Sequence, residues 1–224
     1  RQSNTYSFDG EANLFAAIRL AASQETTCYG TVMLMNDEYF AAREVTKTDA
    51  WRTDTFSGGR YGALGTVDGQ NFRHMRAPAR VQACGTEDWK TPFDLSTIAY
   101  EDIADAEVVF SNVEASDVPI RALVDAGVMG IVTAGHGAGG ISTAQQAARA
   151  EAVEEGAVFV TTTRTGSGAV YDSGEPGIIG GLDLTPQKAR VLLSLALSFT
   201  DDIEQVRAWF QTIGNAEFDY APAE

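Results

Sequence analysis

The sequence predicts an α/β protein whose second half folds as a doubly wound parallel sheet, joined by a linker to a first half of the same class. Three observations predict it. From residue 105 onward, short apolar runs alternate with segments of helical periodicity, the pattern of strand, helix, strand in a parallel sheet. The first half opens with apolar residues at helical spacing and then a wholly apolar run, Thr31-Val32-Met33-Leu34-Met35. Over 224 residues, 44% are hydrophobic, enough to build a core in one large domain or two small ones.

In chain order, Arg1 to Ser7 read as exposed loop, with no charged-then-apolar leader. Ala12 to Leu20 carries apolar side chains at the 3.6-residue period and is predicted helical. The run from Thr31 to Met35 is predicted to be a strand buried on both faces of a parallel sheet. Residues 45–62 are rich in Thr, Asp, Ser, Gly and Arg, with little periodicity, and read as a long loop of the kind that carries function. Asp68-Gly69 is expected to form a two-residue hairpin turn. Residues 84–104, with Pro92 and several acids, read as a linker, which divides the chain into 1–83 and 105–224. Beyond it come a strand at 108–110, a helix at 117–126, a strand at 128–133, a helix at 142–155 and a strand at 157–162. Thr185-Pro186 supplies an N-cap and a first-turn proline for the next helix, and Asp201 or Asp202 can cap the last.

Charge excludes some functions. With 31 acidic against 16 basic residues, the net charge is −15, and the field of the whole molecule repels phosphate backbones and anionic lipid. No nucleic-acid partner and no polybasic membrane docking are expected. No apolar run reaches the roughly 20 residues of a spanning helix. Cys28 and Cys84 are too few for a zinc site and too far apart for a redox motif, which leaves one disulfide or two buried thiols.

Several motifs invite chemistry. Gly135-His136-Gly137-Ala138-Gly139-Gly140 fits G-x-G-x-x-G between a strand and a helix. The strand after it, however, ends in Thr163-Arg164 rather than in a ribose-binding acid, so no dinucleotide is expected there. His136 reads as a local hydrogen-bonder, since no nucleophile motif accompanies it, and His74 reads as surface. Lys47 lies between Thr46 and Thr48 in the long polar loop. A lysine close to a threonine hydroxyl can stabilise an alkoxide or, with a lowered pKa, accept its proton; the ordinary alternative is a solvated loop lysine.

The blocks Met35-Asn36-Asp37, Arg43-Glu44-Val45-Thr46-Lys47-Thr48, Tyr61-Gly62-Ala63-Leu64-Gly65, Arg76-Ala77-Pro78-Ala79-Arg80, Ala115-Ser116-Asp117, Ala122-Leu123-Val124-Asp125-Ala126-Gly127 and Pro186-Gln187-Lys188-Ala189-Arg190 occur in order along the chain. Together they resemble the bacterial type II L-asparaginases and glutaminase-asparaginases. The resemblance implies hydrolysis of the side-chain amide of L-asparagine, and variably L-glutamine, through a threonine nucleophile, without metal or cofactor. Carried over residue by residue, it makes Lys47 a member of the catalytic Thr-Lys-Asp constellation. Gly140 stands where the family usually has a substrate-contacting Asn or Ser. Glu175, with Asp172 as runner-up, takes the place of a late-loop glutamate that reaches a neighbouring subunit's site and holds the substrate's α-ammonium.

By the same resemblance, residues 1–83 are the remainder of an N-terminal α/β domain and 105–224 a C-terminal one. The nucleophilic threonine is then expected on an N-terminal companion chain or fragment, and the assembly is expected to be a homo-oligomer built as a dimer of dimers. Type II relatives imply a periplasmic or secreted protein. A degenerate relative that only binds an amino acid is the alternative.

Overall fold

The computed structural model describes residues 1–218; the last part of the expected 105–224 domain, residues 219–224, lies outside the described residues. The chain forms two compact units: the first holds residues 1–90 together with the described residues from Ala216, and the second holds Thr91–Asn215, so the break after Lys90 falls inside the stretch read as linker. No helix among the described residues is long and apolar enough to cross a membrane.

The first unit begins with helix α1 (Gly10–Ser23), followed by strands β1 (Val32–Met35), β2 (Glu38–Ala41), β3 (Thr46–Lys47), β4 (Phe56–Ser57), β5 (Gly65–Asp68) and β6 (Asn71–His74). Four of these strands make one sheet in the order β1-β2-β5-β6, with every neighbouring pair antiparallel, and β3 and β4 form a separate two-stranded ribbon. Ala16 and Leu20 of α1 close over Leu34, Tyr39, Ala41 and Leu64 to make the core.

This corrects the expectation of a buried parallel strand at residues 31–35. Met35 pairs with Glu38 across Asn36-Asp37, both in left-handed backbone, and the chain turns straight back on itself. Asn and Asp tolerate that conformation at both centres of a tight hairpin turn. β1 therefore lies at the edge of an antiparallel sheet, with only Leu34 buried. The next hairpin is shifted by one residue from its expected register. Asp68 pairs with Asn71, so the turn is Gly69-Gln70, with glycine at the first centre, where φ is +64°.

His74 is exposed, as expected, and bridges two partners. Its Nε2 lies 2.7 Å from Glu25 Oε2 and its Nδ1 2.8 Å from the hydroxyl of fully buried Tyr39, while its ring meets Tyr29 and Tyr39 edge-on. Nearby, Cys28 and Cys84 are joined in a disulfide with Cα atoms 5.5 Å apart, which settles the open choice between bond and thiols. Beyond Cys84 the chain is held back on this unit by Arg80, which stacks over Trp89 and donates to its carbonyl at 2.6 Å.

The second unit contains β7 (Ala106–Phe110), α2 (Val118–Asp125), β8 (Gly130–Gly135), α3 (Thr143–Glu154), β9 (Val158–Thr163), β10 (Ile178–Gly180), α4 (Pro186–Phe199) and α5 (Ile203–Thr212). Its four strands are parallel and lie in the order β10-β9-β8-β7. Side chains alternate between the faces at period two. Ile131 and Phe159 meet Ile120, Ala148 and Ala152 of α2 and α3, while Val132 and Val160 meet Leu193 and Phe210 of α4 and α5. Phe93 also joins the latter core, against Phe199 and Trp209. Ser142 caps α3 by accepting from the Gln145 N–H at 3.1 Å, and Asp202 caps α5. Thr185 precedes α4 as expected, but its hydroxyl makes no capping bond.

The disulfide of the first unit closes a span of 56 residues, and a loop of that length restricts the unfolded chain by about 4 kcal/mol. Cys84→Ser should lower the stability of this unit by about that amount in urea titrations under oxidising conditions. Burial, assisted by the charges of Tyr29 and Glu25, pushes the Tyr39 phenol up from its ordinary 10.0 to about 12. A raised acid pKa favours the folded state below the unfolded pKa, and this contribution disappears as pH climbs through the folded one. Stability should therefore fall between about pH 10 and pH 12, and Tyr39→Phe should flatten that alkaline limb.

Candidate active site

Lys47 ends the short ribbon of the first unit, paired with Phe56, and its ammonium sits 5.8 Å from the centre of the Phe56 ring. The ribbon is rigid for local reasons. Thr48 Oγ1 donates to the Thr55 carbonyl at 2.8 Å, and buried Thr55 accepts from the Asp49 N–H at 2.8 Å while donating to the Asp49 carbonyl. The Asp49 carboxylate takes the N–H groups of Trp51 and Arg52, which hold its pKa below the ordinary carboxylate value. Upstream, the Glu44 carboxylate is only 3% exposed and is gripped by both terminal nitrogens of Arg76, which also donates to the Gly62 carbonyl at 2.7 Å.

The loop read as irregular is thus an anchored hairpin that presents an exposed ammonium. Among the described residues no carboxylate pairs with it. The Thr48 hydroxyl is already used inside the ribbon, and alternation along a strand turns it to the face opposite Lys47.

In the second unit, the glycine-rich segment leaves the carboxyl end of β8 and closes on itself. The His136 N–H donates to the Gly140 carbonyl at 2.9 Å, and the Gly139 and Gly140 N–H groups both donate to the His136 carbonyl. A pyrophosphate cradle needs such N–H groups free to point at the ligand, and here they bond within the loop. His136 belongs to this closure through its backbone. Gly140 is exposed and contributes no side chain, so what it offers a ligand is backbone alone.

Gly140 and Glu175 are not brought together within this unit. The chain after β9 bonds Val170 to Leu182 in both directions, at 2.9 and 3.0 Å, and then runs back along β10, so that Glu175 sits three residues before Ile178. Ile178 pairs with Phe159 near the start of β9, which places Glu175 at the amino end of the sheet, opposite the glycine-rich loop. Glu175 therefore does not lie at the carboxyl edge of the sheet, from which this loop departs. The loop starts at that edge, but Glu175 is reached only after the loop has crossed the sheet. Val170 is the loop residue beside the glycine-rich segment, since a Cβ added to Gly139 would come within 3.2 Å of it. Asp172, the runner-up, is ion-paired with Arg207 of α5. The family resemblance that singled out Glu175 carried no sign of the reversal at Val170.

Two family models match the chain: "Asparaginase, N-terminal" over residues 1–80 and "Glutaminase/Asparaginase C-terminal domain" over residues 107–210. L-asparaginase 2 of Escherichia coli is 37% identical over 215 residues, which are 94% of this chain and 60% of that protein. A probable periplasmic L-asparaginase of Haemophilus influenzae is 31% identical over 216 residues, covering 94% and 60%. A glutaminase-asparaginase of Acinetobacter glutaminasificans is 33% identical over 217 residues, covering 94% and 63%. The chain spans only 60% to 63% of the length of these relatives.

The geometry of the glycine-rich loop distinguishes two neighbouring glycines. A Cβ at Gly139 would lie 2.4 Å from Thr161 Cγ2, with φ at +92°, whereas a Cβ at Gly140 would approach His136 no closer than 3.5 Å. Gly139→Ala should destabilise the second unit by about 1–3 kcal/mol, and Gly140→Ala by less than about 0.5 kcal/mol, in chemical unfolding.

Proposed function

The chain belongs to the glutaminase/asparaginase family, and from that premise we propose that it forms part of an amidohydrolase that releases ammonia from the side-chain amide of L-asparagine or L-glutamine. The observation that carries this reading is Lys47. Its ammonium, unpaired among the described residues, stands on a ribbon made rigid by a buried ion pair and a buried threonine, and it lies in a Val-Thr-Lys-Thr block. In the proposed reaction a threonine hydroxyl from the family's N-terminal portion attacks the amide carbon. Lys47 stabilises the developing alkoxide or relays its proton to the departing nitrogen. The C–N bond breaks, ammonia leaves, and water then hydrolyses the threonyl ester to the free acid.

The companion portion that supplies the threonine finds a suitable seat on this unit. The outer face of α1 exposes Leu14, Phe15 and Ile18, and β1 offers a sheet edge. We assign Glu175 to a neighbouring subunit's pocket in a dimer of dimers, because it is exposed and lies away from Gly140 on its own sheet. The Cys28–Cys84 bond favours an oxidising compartment, either the periplasm or outside the cell. A rival reading, an amino-acid-binding protein without turnover, is favoured by Gly140, which removes a side chain from the glycine-rich loop.

Ammonia release by the assembled protein decides between the two readings. Lys47→Met should lower kcat by roughly 10²–10⁴-fold with folding unchanged, because the interaction it removes forms only in the transition state. Mixing Lys47→Met chains with Glu175→Ala chains should restore part of the activity, since one site of each hybrid dimer regains both residues. An unimpaired Lys47→Met protein would return the lysine to a solvated loop role, and hybrids as inactive as their parents would remove Glu175 from the shared site.

A further inference from the structure

The loop between β9 and β10 is held by one side chain from near the end of the described chain. Arg207 of α5 is 12% exposed and donates to both oxygens of Asp172, itself 15% exposed. The same guanidinium donates to the Ile178 carbonyl at 3.1 Å and to the Glu175 carbonyl at 2.9 Å, and Glu204 approaches it at 3.4 Å. Asp172 in turn accepts from the Gly180 N–H at 3.2 Å, which fixes the loop to the edge of β10. The fit is close, because a Cβ on Gly180 would fall 2.4 Å from the Asp172 nitrogen. Two residues before Asp172, Val170 makes its paired bonds to Leu182 and lies beside Gly139, where an added Cβ would come within 3.2 Å of it.

We propose that Arg207 is a positioning residue: through Asp172 it holds the β9–β10 loop along the sheet edge, keeps Val170 beside the glycine-rich loop at the carboxyl end of β8, and so sets the affinity of the substrate-binding position at Gly140 without touching substrate. A planar fork of donors suits this role, since it engages a carboxylate and two carbonyls at once, which the single ammonium of a lysine does not. The consequence for catalysis rests on the amidohydrolase reading, whereas the mechanical role in the loop does not.

The test compares Arg207→Gln, Arg207→Lys and Asp172→Asn in the assembled protein, by amide hydrogen exchange and by steady-state ammonia release from L-asparagine. Exchange at the Val170 and Leu182 amides should accelerate in Arg207→Gln and Asp172→Asn. KM should rise about tenfold with kcat within about twofold, as expected when a pocket loses alignment and the reacting groups stay in place. Arg207→Lys should fall between wild type and Arg207→Gln, and the double variant Arg207→Gln/Asp172→Asn should be no worse than Arg207→Gln alone. Unchanged exchange at Val170 and Leu182 would overturn the proposal, and so would faster exchange with an unchanged KM. A wild-type assembly that releases no ammonia would defeat the amidohydrolase reading, while exchange would still decide whether Arg207 holds the loop. Should Arg207→Gln fail to fold, Arg207→Lys and Asp172→Asn carry both readouts.

Discussion

A carboxylate withdrawn from water and gripped by an arginine fork is the interaction on which the functional loops of both units depend. In the first unit Glu44, three residues before Lys47, is held by Arg76, which reaches on to the Gly62 carbonyl and ties down both ends of the loop. In the second, Asp172 is held by Arg207, which reaches on to the carbonyls of Glu175 and Ile178. Desolvating a carboxylate is costly unless its oxygens are occupied, so each pair has little freedom to rearrange once made. The loops are long, polar and poor in apolar anchors. Beside these pairs, the first loop is held by the β3–β4 ribbon with its Thr48 and Thr55 bonds, and the second by the paired Val170–Leu182 bonds.

Much of the second unit was legible because a parallel strand buried on both faces leaves a plain mark. The run Gly130–Gly135 is buried throughout, and its neighbours Ala106–Phe110 and Val158–Thr163 are separated by helices at the expected places. The same mark misled in the first unit. Val32–Met35 is just as apolar, but four residues cannot report the direction of their partner, and the deciding signal was the left-handed pair Asn36-Asp37 after it. The contacts of His74, an exposed residue as expected, were not legible for a related reason. Its partners Glu25 and Tyr39 lie 49 and 35 residues away in sequence, and no local pattern joins them.

The site was legible to a different degree. Lys47 could be singled out because its block is contiguous and its ribbon is built from adjacent residues. Glu175 could not be placed, because its location depends on where the loop after β9 turns back. That is settled by backbone bonds between Val170 and Leu182, by the Asp172–Arg207 pair, and by a glycine at 180 that lets the loop lie flat on β10. Family likeness narrows chemistry to a region more readily than it fixes one carboxylate in a loop of variable length.

The disulfide has a topological consequence. Cys28 precedes β1 and Cys84 follows β6, so the bond encloses every strand of the first unit in a covalent ring. An accessible part of that ring is the tip of the Lys47 hairpin, where Trp51 stands 84% exposed. A peptide bond cut there leaves the two pieces tethered, with Lys47 on one and Phe56 on the other. Such a molecule would keep its sheet and run as a single species until a reductant released the shorter piece. Covalent closure therefore makes the integrity of this unit depend less on an unbroken backbone than on the redox state of its surroundings.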